Sequence, residues 1–249
     1  MDRKIRVGAV NYLNTKPLIY GFELGMMADE LEMSFDYPSI VAEKIILGEI
    51  DIGLLPVAIL PFLPEHYIIS DYCIGCNGAV DSVCLFSEVP VEDIKTILLD
   101  YQSKTSVALL KVLLREYWKI SPRLVNAHKG YESEIKGYTA GLVIGDRAFS
   151  QKLISALYYD LGTAWKEMTG LPFVFAAWVS IRKMEDQFAN GFNAANAYGL
   201  NCLKEVIKGI NSNGVDLENY YNNHISYQFD ALKNKAMQIF LEKISHGVL

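Results

Sequence analysis

No apolar stretch in this 249-residue sequence approaches the ~18 residues that a membrane-crossing helix needs. No run of lysine and arginine offsets the net charge of −6, which argues against a nucleic-acid partner. Four cysteines are too few to staple a chain of this length. Cys73 and Cys76, in the stretch CIGC, lack the second CxxC or CxxH that would complete a zinc site, and no strand-to-helix turn presents them as a redox pair. Cys84 and Cys202 read as reduced thiols among apolar residues. His66, His128, His224 and His246 are scattered without metal-ligand spacing. The phosphate-cradling P-loop, the GxGxxG turn, the HExxH helix and the GxSxG nucleophile elbow are all missing. The expectation is a site without metal or cofactor, for a small molecule rather than a membrane or a nucleic acid. The opening MDRKIRVGAV passes from charge to strand with no apolar core of about 7–15 residues and no cleavage site. Read as the native start, it predicts a cytoplasmic protein.

What is present is ordinary globular composition, 51% hydrophobic and 21% charged, enough for one large or two smaller domains. Ile5–Val10, Leu31–Phe35 and DIGLL (51–55) read as strands, separated by helical patterns at Pro17–Glu23 and Ser39–Leu47. Such alternation indicates an α/β fold with parallel strands. A second strand and helix series follows, with strands at Thr96–Leu99 and Gly141–Ile144 and a mostly apolar helix over 105–118. Two long strand-like runs, AVDSVCLFS (79–87) and PFVFAAWVSI (172–181), flank it. After Ile181 the pattern is helical: Glu185–Lys208, Asp216–Asn222 and Gln228–Ser245, the last docking through Phe229, Leu232, Ala236, Phe240 and Ile244. This predicts two lobes, 1–86 with 181–249 and an inserted 87–180, with a ligand cleft between them.

Four polar clusters interrupt this apolar scaffold. VNYLNTKPL (10–18) sets Asn11, Asn14, Thr15 and Lys16 before Pro17, where the first strand ends. Thr15 or Asn14 can cap the helix that Pro17 opens; the other is then surplus, and a helix start facing the cleft suits a carboxylate. In GAVDSVCLFS, Ser82 is either an edge position or a hydroxyl facing a ligand. In LDYQSKTSVALL, one of Ser103, Thr105 and Ser106 must cap the helix, and the rest with Lys104 favour an anion. Asp146 of VIGDRAF reads as a cap for 147–153, and Asp160 as the cap of a helix starting near Gly162 and carrying Trp165. Trp178 is expected to pack near the hinge.

YLNTKPL, GAVDSVCLFS, LDYQSKTSVALL, IGDRAF and YDLGTAWKEMTGLPFVFAAW occur in this order between residues 12 and 178. Together they resemble the chorismate dehydratase family of the futalosine route to menaquinone. The resemblance implies a two-lobed fold like the type 2 periplasmic binding proteins, used as a cytoplasmic enzyme that needs no cofactor. It implies a lyase that removes water from chorismate to give 3-[(1-carboxyvinyl)oxy]benzoate. Asn14 and Ser82 then stand as the catalytic-site polar residues. Ser103, Thr105 and Ser106 hold a substrate carboxylate at the helix start, and Thr15 and Asp146 complete the substrate-binding set. Two departures are Lys104, where the family commonly has arginine, and Asp81 inside the serine motif.

This inventory of amides and hydroxyls contains no obvious strong base. Chorismate must lose its C3 proton and its C4 hydroxyl, and the product is aromatic, so positioning is the main requirement. The substrate's own enolpyruvyl carboxylate is the proposed base, with Asn14 and Ser82 orienting it and assisting the hydroxyl. Two rival readings are a non-catalytic solute-binding protein of the same fold and the sister enzyme that releases 1,4-dihydroxy-6-naphthoate, which is expected to use a histidine base.

Overall fold

In a computed structural model residues 3–245 are described; Met1, Asp2 and residues 246–249, His246 among them, lie outside the described residues. Strand β1 (Ile5–Val10) is buried from Val7 to Val10 and lies between two parallel partners, β2 (Leu31–Asp36) and β3 (Ile52–Pro56). Helices α1 (Lys16–Glu23) and α2 (Pro38–Ile46) make the crossovers, each with a proline in its first turn, where a missing N–H costs nothing. A 3-10 stretch, Val57–Phe62, then leads into β4 (Tyr67–Cys76).

The inserted series runs β5 (Val83–Ser87), β6 (Thr96–Leu99), α3 (Lys104–Glu116), β7 (Arg123–Asn126), β8 (Thr139–Ile144), α4 (Asp146–Lys152), β9 (Leu157–Asp160) and α5 (Leu161–Thr169). The chain returns through β10 (Phe173–Ser180), α6 (Asp186–Asn201), α7 (Leu203–Lys208), α8 (Leu217–Asn219), β11 (Ser226–Gln228) and α9 (Ala231–Ser245). Among the described residues these strands make two mixed sheets, in the orders β11-β4-β10-β3-β1-β2 and β7-β6-β8-β5-β9. The architecture is α/β, as the alternation predicts.

The sheets move both expected lobe boundaries. β5 pairs with β8 and β9, so it belongs to the second lobe, whereas the sequence division at 86/87 assigned it to the first. β10 pairs antiparallel with β3 and β4 and belongs to the first lobe, not the second. The crossings are therefore the segments 77–82 and 170–172. AVDSVCLFS is accordingly half turn and half strand: Gly78 and Asp81 have φ of 120° and 68°, and pairing starts at Val83. β-branched content cannot reveal that turn, because its conformation is imposed by contacts from elsewhere in the chain.

The C-terminal elements brace the first lobe. α6 lies against α1 at backbone contact: a Cβ on Gly199 would sit 1.9 Å from the Pro17 carbonyl, and one on Gly21 2.3 Å from the Ala195 carbonyl. Trp178 of β10 is fully buried and donates its indole N–H to Asn196 of α6 at 2.9 Å. The single helix expected over 185–208 is two, broken at Cys202, whose ψ of 34° is not helical. The helix expected at 216–222 is one turn of α8 followed by a π-wound turn, Tyr220–His224, a geometry that often accompanies function. α9 docks through Ala236, Phe240 and Ile244, but Leu232 is exposed; Lys233 takes its place in the buried stripe. The Lys233 ammonium is satisfied by Ser226 Oγ at 2.7 Å and by the Gln228 carbonyl.

Candidate active site

The first-lobe wall of the cleft is the loop that leaves β1. Leu13–Thr15 winds as a 3-10 turn directly into α1. That turn explains why Thr15 does not cap: its φ and ψ, −87° and −25°, are already helical, whereas a capping residue needs extended backbone. Thr15 is fully buried, does not line the cavity, and donates its hydroxyl to Asn14 Oδ1 at 3.3 Å. Asn14 does line it. Two tyrosines far along the chain fix the loop's backbone: Tyr221 donates to the Leu13 carbonyl and Tyr227 to the Asn14 carbonyl, both at 2.9 Å.

The second-lobe wall is built from α3 and the 77–82 turn. Ser103 caps α3, accepting from the Ser106 N–H at 3.1 Å, and its hydroxyl donates to Ser106 Oγ at 2.9 Å. Both serines line the cavity. The N–H groups of Lys104 and Thr105 have no partner within the helix, so the cavity receives a helix start suited to an anion. Thr105 is elsewhere: it is buried and its Oγ1 accepts the Ala58 N–H from the first lobe at 3.2 Å. Ser82 is fully buried and lines the cavity; its Oγ accepts from Tyr220 at 2.7 Å, and its carbonyl accepts from Gly145 N–H at 2.8 Å.

Asp146 is not the cap expected of it. Gly145 occupies the N-cap position with φ 64° and ψ −150°, a region essentially reserved for glycine. Asp146 instead reaches across the cleft and accepts the Leu13 N–H at 3.2 Å, outside the cavity lining. Burial raises its carboxyl pKa, against the opposing pull of the Leu13 N–H. A further bridge between lobes is Tyr12, which donates to Gln102 Oε1 at 2.7 Å. Gln102 Oε1 also accepts from Arg147 at 2.8 Å, and Arg147 in turn pairs with Asp100 and Glu132. Burial, and after it the Asp100 charge, pushes the Tyr12 phenol well above its ordinary value.

These walls enclose a cavity of about 60 Å³. Leu54, Pro56, Ile74, Phe175 and Ala176 are among its apolar lining residues, and Tyr12, Asn14, Ser82, Ser103 and Ser106 supply its polar side chains. Among the described residues that line it there is no carboxylate, histidine, lysine or arginine. Of the seven residues expected from sequence, Asn14, Ser82, Ser103 and Ser106 converge, while Thr15, Thr105 and Asp146 stand behind or beside the walls. Tyr12, Tyr220, Tyr221 and Tyr227 were not among them. The only local signal for the last three is the tyrosine-rich run YYNNHISY (220–227).

The family model for menaquinone biosynthesis matches residues 5–246, nearly the whole chain. The chain belongs to this menaquinone biosynthesis family. The chorismate dehydratase of Thermus thermophilus is 29% identical over 225 residues, covering 80% of this chain and 79% of that protein. A solved structure of an Archaeoglobus fulgidus protein overlays with a TM-score of 0.74 at 16% identity, covering 99% of this chain and 98% of that one. The periplasmic aliphatic sulphonate binding protein of Escherichia coli overlays at 0.56 and 14% identity, covering 98% and 94%. These structural likenesses identify the fold as that of the periplasmic binding proteins. In this member of the menaquinone biosynthesis family, Cys73 and Cys76 are fully buried on β4, where burial raises both thiols, Cys73 to about 12. No three His, Cys, Asp or Glu residues among those described come together as a metal site, and no described helix is long and apolar enough to cross a membrane.

Proposed function

We propose that this protein is a chorismate dehydratase, a lyase that eliminates water from chorismate to give 3-[(1-carboxyvinyl)oxy]benzoate. The observation that carries this reading is the lining of the cavity: one amide, three serine hydroxyls, a phenol and a helix start, with no carboxylate, imidazole or amine among the described residues. Such a site is poor at taking a proton and good at holding a dianion in one pose. The one titratable group in the lining among the described residues, Tyr12, has its phenol pKa raised by burial and is a weak candidate base at neutral pH.

The substrate therefore supplies its own base. Its enolpyruvyl carboxylate takes the C3 proton, the released electron pair forms the C3–C4 ring double bond, and the C4 hydroxyl departs with one proton as water. Asn14 Oδ1 already receives the Thr15 hydroxyl, so its amide hydrogens are the groups that orient the acceptor oxygen or the leaving hydroxyl. Ser82 Oγ receives the Tyr220 hydroxyl, which directs the serine's own proton toward the cavity or the Val80 carbonyl. Ser103, Ser106 and the N–H groups of the first turn of α3 hold the ring carboxylate. The cavity as it stands is small, about 60 Å³, so chorismate enters by parting of the lobes and breaking of bridges that include Tyr12–Gln102, Asp146–Leu13 and Thr105–Ala58.

The test is incubation with chorismate while following the aromatic enolpyruvyl product. Its appearance supports the reading, and chorismate left intact at high enzyme concentration would refute it. Tight binding without turnover would instead favour a solute-binding protein, the reading that the fold relatives suggest. The sister reaction that gives 1,4-dihydroxy-6-naphthoate is disfavoured because no described histidine lines the cavity.

A further inference from the structure

Ser82 sits in a turn whose backbone is held from outside. Asp81, immediately before it, has φ of 68°, in the left-handed region that costs a side-chain-bearing residue. Gly78 opens the turn at φ 120°. What holds this geometry is one carboxylate from the far end of the inserted lobe. Asp160 Oδ2 accepts the Asp81 N–H at 2.7 Å, Oδ1 caps α5 by accepting the Thr163 N–H at 2.9 Å, and the Val80 N–H is shared between them at 3.1 Å and 3.2 Å. The two segments are also pressed together: a Cβ on Gly162 would lie 2.4 Å from the Gly78 carbonyl and 2.6 Å from Cys76 Sγ. Lys152 ties the Asp81 side chain down from the other side.

We propose that Asp160 is a positioning residue for the proposed dehydration: it locks residues 80 and 81 so that Ser82 presents its hydroxyl to the cavity. Helix capping requires only one of its oxygens. Oδ2 holds the Asp81 N–H and both oxygens share the Val80 N–H, so the turn carrying Ser82 and the DLG start of α5 form one unit. The proposal rests on the chorismate reading for its kinetic consequence, but the locking itself is independent of substrate.

Asp160→Asn leaves one acceptor oxygen for the two roles. Asparagine caps helices as well as aspartate does, and with that oxygen on the Thr163 N–H its NH2 group is turned against the Asp81 N–H. Turnover of chorismate is expected to fall on the order of 10- to 100-fold with KM changed little, the signature of a misplaced group near the reacting atoms. Asp81→Gly added to that variant removes the left-handed strain and is expected to recover at least a few-fold of the loss. An unchanged kcat in Asp160→Asn would overturn the proposal, as would a loss that Asp81→Gly does not relieve, since a capping role alone predicts no rescue. Amide hydrogen exchange on the unmodified protein reads the lock without substrate. Slow exchange at Val80 and Asp81 that becomes fast in Asp160→Asn supports it, and loop-like rates in the unmodified protein overturn it. Protected amides in a protein that leaves chorismate intact would retain the lock and reject the chorismate reading instead.

Discussion

The two walls of the cleft are held in opposite ways. The α3 wall holds itself: Ser103 caps Ser106 three residues on, and the apolar residues Ala108, Leu109, Val112 and Leu113 bury the helix behind it. The Asn14 wall is held from outside. Its carbonyls are gripped by Tyr221 and Tyr227, and the Leu13–Tyr221 bond spans 208 residues of sequence. A self-capped helix start is a fixed anion seat in whatever surroundings it folds. A loop gripped by distant hydroxyls exists only once the whole lobe has closed on it. The difference suggests a division of labour, with the rigid seat binding a carboxylate and the gripped loop setting the geometry of the chemistry.

The sharpest way to break this comparison is to remove the reacting-side groups. Asn14→Ala and Ser82→Ala are each expected to lower turnover by at least ~10²-fold with unchanged circular dichroism. Near-normal rates in both would put the chemistry elsewhere. Next is the double change Tyr221→Phe with Tyr227→Phe, which deletes two gripping hydroxyls and keeps their rings. It should lower kcat by roughly 10-fold and cost about 1–3 kcal/mol in denaturant unfolding, at about 1 kcal/mol per hydrogen bond. A change in KM alone would mean that the loop only binds.

Ser103→Ala probes the self-held wall. Loss of the cap should cost about 1 kcal/mol of stability, and KM should rise several-fold while kcat stays near normal. An effect on kcat as large as that of Asn14→Ala would erase the distinction between the walls. The smallest effect is expected from Cys73→Ala with Cys76→Ala, both buried on β4 outside the cavity lining: turnover should be unaltered, measured with chorismate in saturating amount. Lost activity there would revive a role for the CIGC pair.

How legible the molecule was follows the same line. Asp160 is readable as a cap, and so is the presence of a cap among residues 103–106, because capping is decided within three residues; the structure then selects Ser103. Strands β1, β3 and β6 were readable from buried runs bounded by turn residues. Asp146 was misread because Gly145 took the cap with a backbone conformation that no composition signal advertises. Leu232 was misread by one position, since the buried stripe of α9 passes through Lys233, whose ammonium finds partners at Ser226 and Gln228. The lobe boundaries shift by one strand at each crossing because the pairing partners of β5 and β10 lie roughly 60 to 120 residues away in sequence.

The alternating α/β pattern, the inserted series and the four polar clusters are legible in the residues alone, because periodicity and capping are interactions between near neighbours. Only the tertiary structure decided which members of those clusters meet. It turned Thr15 and Thr105 into buried struts, sent Asp146 across the cleft, and brought Tyr220, Tyr221 and Tyr227 onto Ser82 and the Asn14 loop. The physical reason is that a hydroxyl's partner depends on where a closed lobe leaves an unpaired carbonyl or side-chain oxygen. That position is set by packing, such as Gly199 against Pro17 and Gly162 against Gly78, and not by the residues beside it.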